Sequence, residues 1–125
     1  MAITLNGSTG ISVTTGTVSD QIGDLRDVPI NNQTSAYILA ASDEGKTVSI
    51  TTGGVTVNAN ILAAGAIVSI YNNSGSSQTI TQGATVTLRQ AGTANTGNRT
   101  LAQYGVCTVL CVASNTFVIS GAGIS

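Results

Sequence analysis

An all-β fold is predicted, a single antiparallel β-sandwich or jelly-roll-like domain with an extended N-terminal arm. Two observations carry that prediction. Thr, Val, Ile, Ser, Gly and Asn dominate the 125 residues while Glu, Lys, Leu and Met are scarce, a composition that suits pleated sheets and starves helices. Roughly eight short runs of β-favouring residues also alternate with clusters of Gly, Asn, Ser and Asp, the spacing expected of sandwiches and barrels. A chain of this length makes one domain and buries roughly two-thirds of its unfolded surface, so its core needs no staples.

The elements follow in order. Gly7, Gly10 and Gly16 interrupt the opening stretch, which leaves room only for short extended pieces around Ile3–Leu5 and Ile11–Val13. Such a stretch buries little by itself, so residues 1–23 are expected to form an arm and linker that lie on another subunit, with the domain over 24–125. Four charges (Asp20, Asp24, Arg26 and Asp27) precede Pro29, which pushes Val28 toward an extended backbone. The first strand is expected at Ser35–Leu39, turned by Ala41–Gly45. Lys46–Thr51 follows with period-two alternation, and Gly53-Gly54 reads as the tight turn of a hairpin to Val55–Val57. Ala66–Tyr71, Gln78–Thr81 and Thr85–Arg89 are the next strands, and a polar loop over 91–100 precedes the last pair, Gly105–Val112 and Thr116–Ser120.

Charge narrows the function classes. Four Lys and Arg against five Asp and Glu give no basic footprint for releasing counterions from nucleic acid, so DNA and RNA are not expected partners. A near-neutral surface also lacks self-repulsion, which favours assembly with partners. No apolar stretch is long enough to span a bilayer as a helix, and Met1–Leu5 shows no signal-peptide pattern, so the chain is expected to be made in the cytosol, with no membrane partner.

Reactive chemistry is poorly provided for. Histidine is absent, which removes the commonest general base, the commonest transition-metal ligand and the usual activator of a cysteine. Asp43 and Glu44 are adjacent and read as a solvated turn closed by Gly45, while Asp20, Asp24 and Asp27 lack the ligand spacing of a calcium loop. Cys107 and Cys111 would sit about 13 Å apart on one strand, too far to bridge, and read as buried apolar thiols. No phosphate-binding glycine motif occurs. Tyr37, Tyr71, Tyr104 and Phe117 are expected to bury their rings in the core. No catalytic, cofactor or metal site is therefore expected.

Three stretches, Thr34–Ile50, Ile70–Gly83 and Gly105–Gly121, together resemble a β-module found in virion proteins of tailed phages, particularly marine phages and cyanophages. The opening Ile3-Thr-Leu-Asn-Gly-Ser-Thr-Gly10 is similar to phage fibre sequences. The resemblance covers roughly Asp24 to the C-terminus and implies a particle protein without naming its position, because such modules occur on tail fibres, tails and head surfaces. A fibre shaft would need a heptad or long repeat, which this chain lacks. The expectation is a capsid decoration (cement) protein on the head surface, a homotrimer bound to the major capsid protein. The alternative is a tail-fibre or receptor-binding module that contacts host glycan. Interface residues are expected at Ile3, Leu5, Ile11 and Val13 of the arm and at Arg89 and Arg99 flanking the polar loop.

Overall fold

A computed structural model describes residues 27–125. The fold is all-β, as expected. Its strands are β1 (Ile30–Gln33), β2 (Tyr37–Ile38), β3 (Thr47–Ile50), β4 (Val55–Val57), β5 (Ile67–Asn72), β6 (Gln78–Gln82), β7 (Thr87–Gln90), β8 (Arg99–Ala113) and β9 (Thr116–Ile124). A short 3-10 helix, Ala41–Asp43, lies between β2 and β3.

The expected antiparallel arrangement is corrected. β3 pairs in parallel with β1 and β5, and β4 pairs in parallel with β2 and β6. The Lys46–Thr51 and Val55–Val57 strands therefore do not form a hairpin. The chain instead winds through three coils, β1–β2, β3–β4 and β5–β6, each adding one strand to an odd-numbered wing and one to an even-numbered wing. A parallel pair needs a crossover between its strands, and here each wing's strand lies on the crossover of the other.

Gly53 and Gly54 show why a hairpin signal produced a corner. Both have positive φ, at 87° and 71°, and a Cβ on Gly53 would overlap the Ala36 backbone, while one on Gly54 would overlap the Thr79 carbonyl. Coils stack at strand spacing, so the middle corner has neighbours on both sides and only glycine fits. The buried Gln78 ties this corner down, accepting from Gly54 N–H at 3.0 Å and donating to the Thr51 carbonyl at 3.1 Å.

The long strand β8 closes the stack. Its Leu101 end pairs antiparallel with β6, its Val106–Leu110 stretch pairs antiparallel with β5, and β9 runs along its other side. The bend between these halves falls at Tyr104, with φ of 55°, and Gly105. β7 pairs in parallel with β9. All strands belong to one mixed sheet that curls nearly into a barrel. Between β6 and β7, which do not pair, the Gln82 side chain bridges, accepting from Leu88 N–H at 2.8 Å and Gly97 N–H at 3.0 Å.

Both wings, β7, β8 and β9 feed one core that includes Val48, Ile50, Val55, Val68, Ile70, Ile80, Leu88, Val109, Phe117 and Ile119. Alternation along β8 is strict here. Cys107, Val109 and Cys111 are buried, and Val106, Thr108, Leu110 and Val112 face outward.

Candidate functional site

The outward side chains of β5, β8 and β9 fall into three cross-strand rows. Ile67, Leu110 and Val118 form one, Ser69, Thr108 and Ser120 the next, and Tyr71, Val106 and Ala122 the third. No charge interrupts the nine positions. Ile67, Val106 and Val112 are each nearly half exposed, and Tyr104 beside them is 61% exposed. The period-two pattern that buries one side of these strands would normally put charged residues on the other, and here it puts aliphatic and hydroxyl groups. An exposed apolar surface of this kind is suited to contact with another protein.

A second feature sits at the first coil. The inward positions that carry Val48 and Ile50 in β3 are taken by Asn31 and Gln33 in β1, and the position of Val55 in β4 is taken by Tyr37 in β2. These polar groups converge on Asp43, which is 1% exposed. Asp43 accepts from Asn31 Nδ2 at 2.8 Å, from the Tyr37 hydroxyl at 2.8 Å and from the Ala40 N–H at 2.8 Å. Asn31 Nδ2 also donates to the Tyr37 hydroxyl at 3.0 Å, and Gln33 donates to Asn31 at 2.7 Å. The solvated turn expected at Asp43 is thus a buried carboxylate held by neutral donors. Burial, together with the hydrogen bond to Asp43 and its negative charge, raises the Tyr37 phenol above its ordinary 10.0. A carboxylate and phenol this fully engaged hold a loop in place and present no free base.

Arg99 turns inward on its own loop. Its guanidinium donates to Gln90 Oε1 at 3.1 Å and the Thr96 carbonyl at 3.0 Å, and its Nε donates to the Gly97 carbonyl at 3.3 Å. Arg89 is exposed on β7, next to Val118 of the outer face. Ile3, Leu5, Ile11 and Val13 lie outside the described residues.

Both cysteines are free and buried, and burial pushes the Cys107 thiol up to about 12. Phe117 lies in the core as expected, but Tyr71 and Tyr104 belong to the outer side. Tyr104 was not legible because a positive φ at a strand bend turns it out of the alternation. Among the described residues, no group of three or more His, Cys, Asp or Glu is placed to hold a metal. Searches against protein-family models, curated proteins and solved structures return no match.

Proposed function

We propose that this chain is a structural protein of a tailed-phage particle, a capsid decoration protein that binds the head surface as a homotrimer and stabilises the shell. The observation that supports this reading best is the charge-free, three-row outer face of β5, β8 and β9. A surface of aliphatic and hydroxyl side chains gains by apolar burial and short polar contacts, and it has no ions to desolvate. Many weak copies on one lattice then add up by mass action, since each copy binds only the assembled shell. At the level of layers, we read the two wings, which face each other across one core, as halves of a sandwich-like module with coiled connections.

Tyr104 favours a second reading. An exposed ring beside the Ser74–Ser77 loop is a surface on which a sugar can stack, which suits a tail-fibre module touching host glycan. Replacing Val106 and Val112 together by Lys separates the two. A head-decoration role predicts that the variant keeps its urea midpoint but no longer copurifies with heads. Full occupancy on heads would overturn that role, and so would labelling of intact particles at the tail.

A further inference from the structure

The first coil ends the stack on an open edge. Thr47 N–H bonds the Pro29 carbonyl at 2.9 Å and Thr51 N–H bonds the Gln33 carbonyl at 3.1 Å, so residues 29, 31 and 33 use their peptide groups toward β3. In a parallel pair alternate residues bond to opposite sides, so Ile30 and Asn32 point theirs away. Tyr37 and Leu39 bond Gly54 and Thr56 in the same way, which turns Ile38 outward. Among the described residues no strand pairs with this outer side of β1 or β2. Ile30 is 63% exposed there, Ile38 56% and Val28 60%. Exposed strand edges with apolar side chains are sites for strand addition.

The coils have a common plan. An odd-wing strand is followed, eight residues on in the case of Thr47 and Val55, by an even-wing strand, and a return segment leads to the next coil. The return from β2 to β3 carries Asp43, Glu44 and Lys46. Residues 1–29 repeat that plan in sequence: Ile3-Thr-Leu5, then Ile11-Ser-Val13 eight residues later, then a stretch containing Asp20, Asp24, Arg26 and Asp27 that arrives at β1. Seven of the chain's nine charges fall in these two stretches. The stretch from Thr14 to Pro29 is longer than the returns Leu39–Lys46 and Asn58–Ala66, so it has the length to cross from one wing to the other.

We propose that residues 3–13 of the same chain pair with the open edge as a further coil, Ile3–Leu5 on β1 and Ile11–Val13 on β2. Thr4 and Ser12 alternate in sequence with Ile3, Leu5, Ile11 and Val13, so the segment has a hydroxyl set to match the polar layer of Asn31, Gln33 and Tyr37 and an apolar set to match Ile30 and Ile38. That division accounts for a core end that is polar inside while its edge is apolar outside. Attachment through the Thr14–Pro29 stretch gives this segment an effective concentration on the order of millimolar, well above that of a second copy in dilute solution. The proposal is independent of what the outer face binds.

The test is amide hydrogen exchange, followed by NMR on the full chain and on a chain lacking residues 1–20. In the full chain the Ile30, Asn32 and Ile38 amides are slowed on the order of 100-fold, independently of protein concentration, and truncation releases them. Slow Val48 and Ile70 amides in both proteins report that the domain is folded. Thr4→Pro in the full chain, which removes one donor and keeps the segment, should release Ile30 and Asn32. Equal exchange at the three amides in full and truncated chains overturns the proposal. So does protection that disappears on dilution, which would assign the edge to a second copy.

Discussion

The core has two ends, and they are finished differently. At the β8 end, the column that begins at Asn31 and passes through Val48 and Ile70 reaches Cys107, and β9 lies behind it. The core-facing side chains Cys107, Val109 and Cys111 of β8 and Phe117 and Ile119 of β9 are apolar and at most 1% exposed, and the buried amide beside them, Asn72 of β5, donates to the Leu101 and Ala102 carbonyls. At the first coil the same columns end in amides and a phenol gathered on Asp43. An inward side chain with paired strands on both sides is covered by them, so a paired end affords Val, Ile and Phe. The first coil, paired on one side only among the described residues, must instead satisfy polar groups that lie nearer water. One end is held by area removed from solvent, the other by directed hydrogen bonds.

The largest expected effect tests the apolar end. Phe117→Ala removes the largest fully buried side chain among the described residues and leaves a cavity in the core beneath β9, and should destabilise by about 4 kcal/mol in urea unfolding. A loss below about 1 kcal/mol would mean that this end is loosely packed, contrary to the contrast drawn above.

At the polar end, Asp43→Ala leaves Asn31, the Tyr37 hydroxyl and the Ala40 N–H without their acceptor, for an expected loss of about 3 kcal/mol. Asp43→Asn keeps the shape and one acceptor oxygen, so it should cost about half as much. Equal losses for the two variants would show that the layer depends on the charge of Asp43 and not on the geometry of its acceptors.

The middle of the stack gives an internal control. Gly53→Ala places a Cβ against the Ala36 backbone at a positive φ and should cost about 2 kcal/mol or more. Gly45→Ala, at φ of 74° with open space around it, has only the backbone penalty, about 1 kcal/mol. Similar losses would show that the stacked corner yields as easily as a free loop.

Strand positions were legible in the sequence because alternation and turn residues are local. Val55–Val57 is legible to the residue, and Cys107, Cys111 and Phe117 are buried as expected of apolar thiols and an aromatic ring on strands. Pairing was not legible, because Gly53-Gly54 satisfies a hairpin turn and a coil corner equally and the partners that decide between them, Ala36 and Thr79, are distant in sequence. β1 is not legible, since Asn31, Asn32 and Gln33 are poor strand formers, and two of them, Asn31 and Gln33, belong to the polar layer. The buried state of Asp43 depends on Asn31 and Tyr37, twelve and six residues away on two other strands, so no local pattern around Asp43-Glu44 announces it. Of the expected interface, Arg99 proved to be engaged within its own loop, and the three-row outer face was hidden in strands read only for their buried side.

The smallest effect near neutral pH, and the one that distinguishes the ends by titration, is alkaline destabilisation. Cys107 at the apolar end has its thiol raised by burial from 9.0 to about 12, and Tyr37 at the polar end has its phenol raised above 10.0. In both cases the folded protein holds a proton that the unfolded chain releases sooner. Stability is therefore complete below the unfolded value and falls as pH rises through the window up to the folded one. The Cys107 contribution begins to be lost above 9.0 and the Tyr37 contribution only above 10.0. Urea midpoints measured from neutral pH upward should fall in that order. Cys107→Ala should flatten the decline from its onset, whereas Tyr37→Phe should leave the onset unchanged and flatten only the later part. If Tyr37→Phe removed the whole decline, the apolar end would have to admit water to its thiol, and the two ends would no longer differ in what holds them.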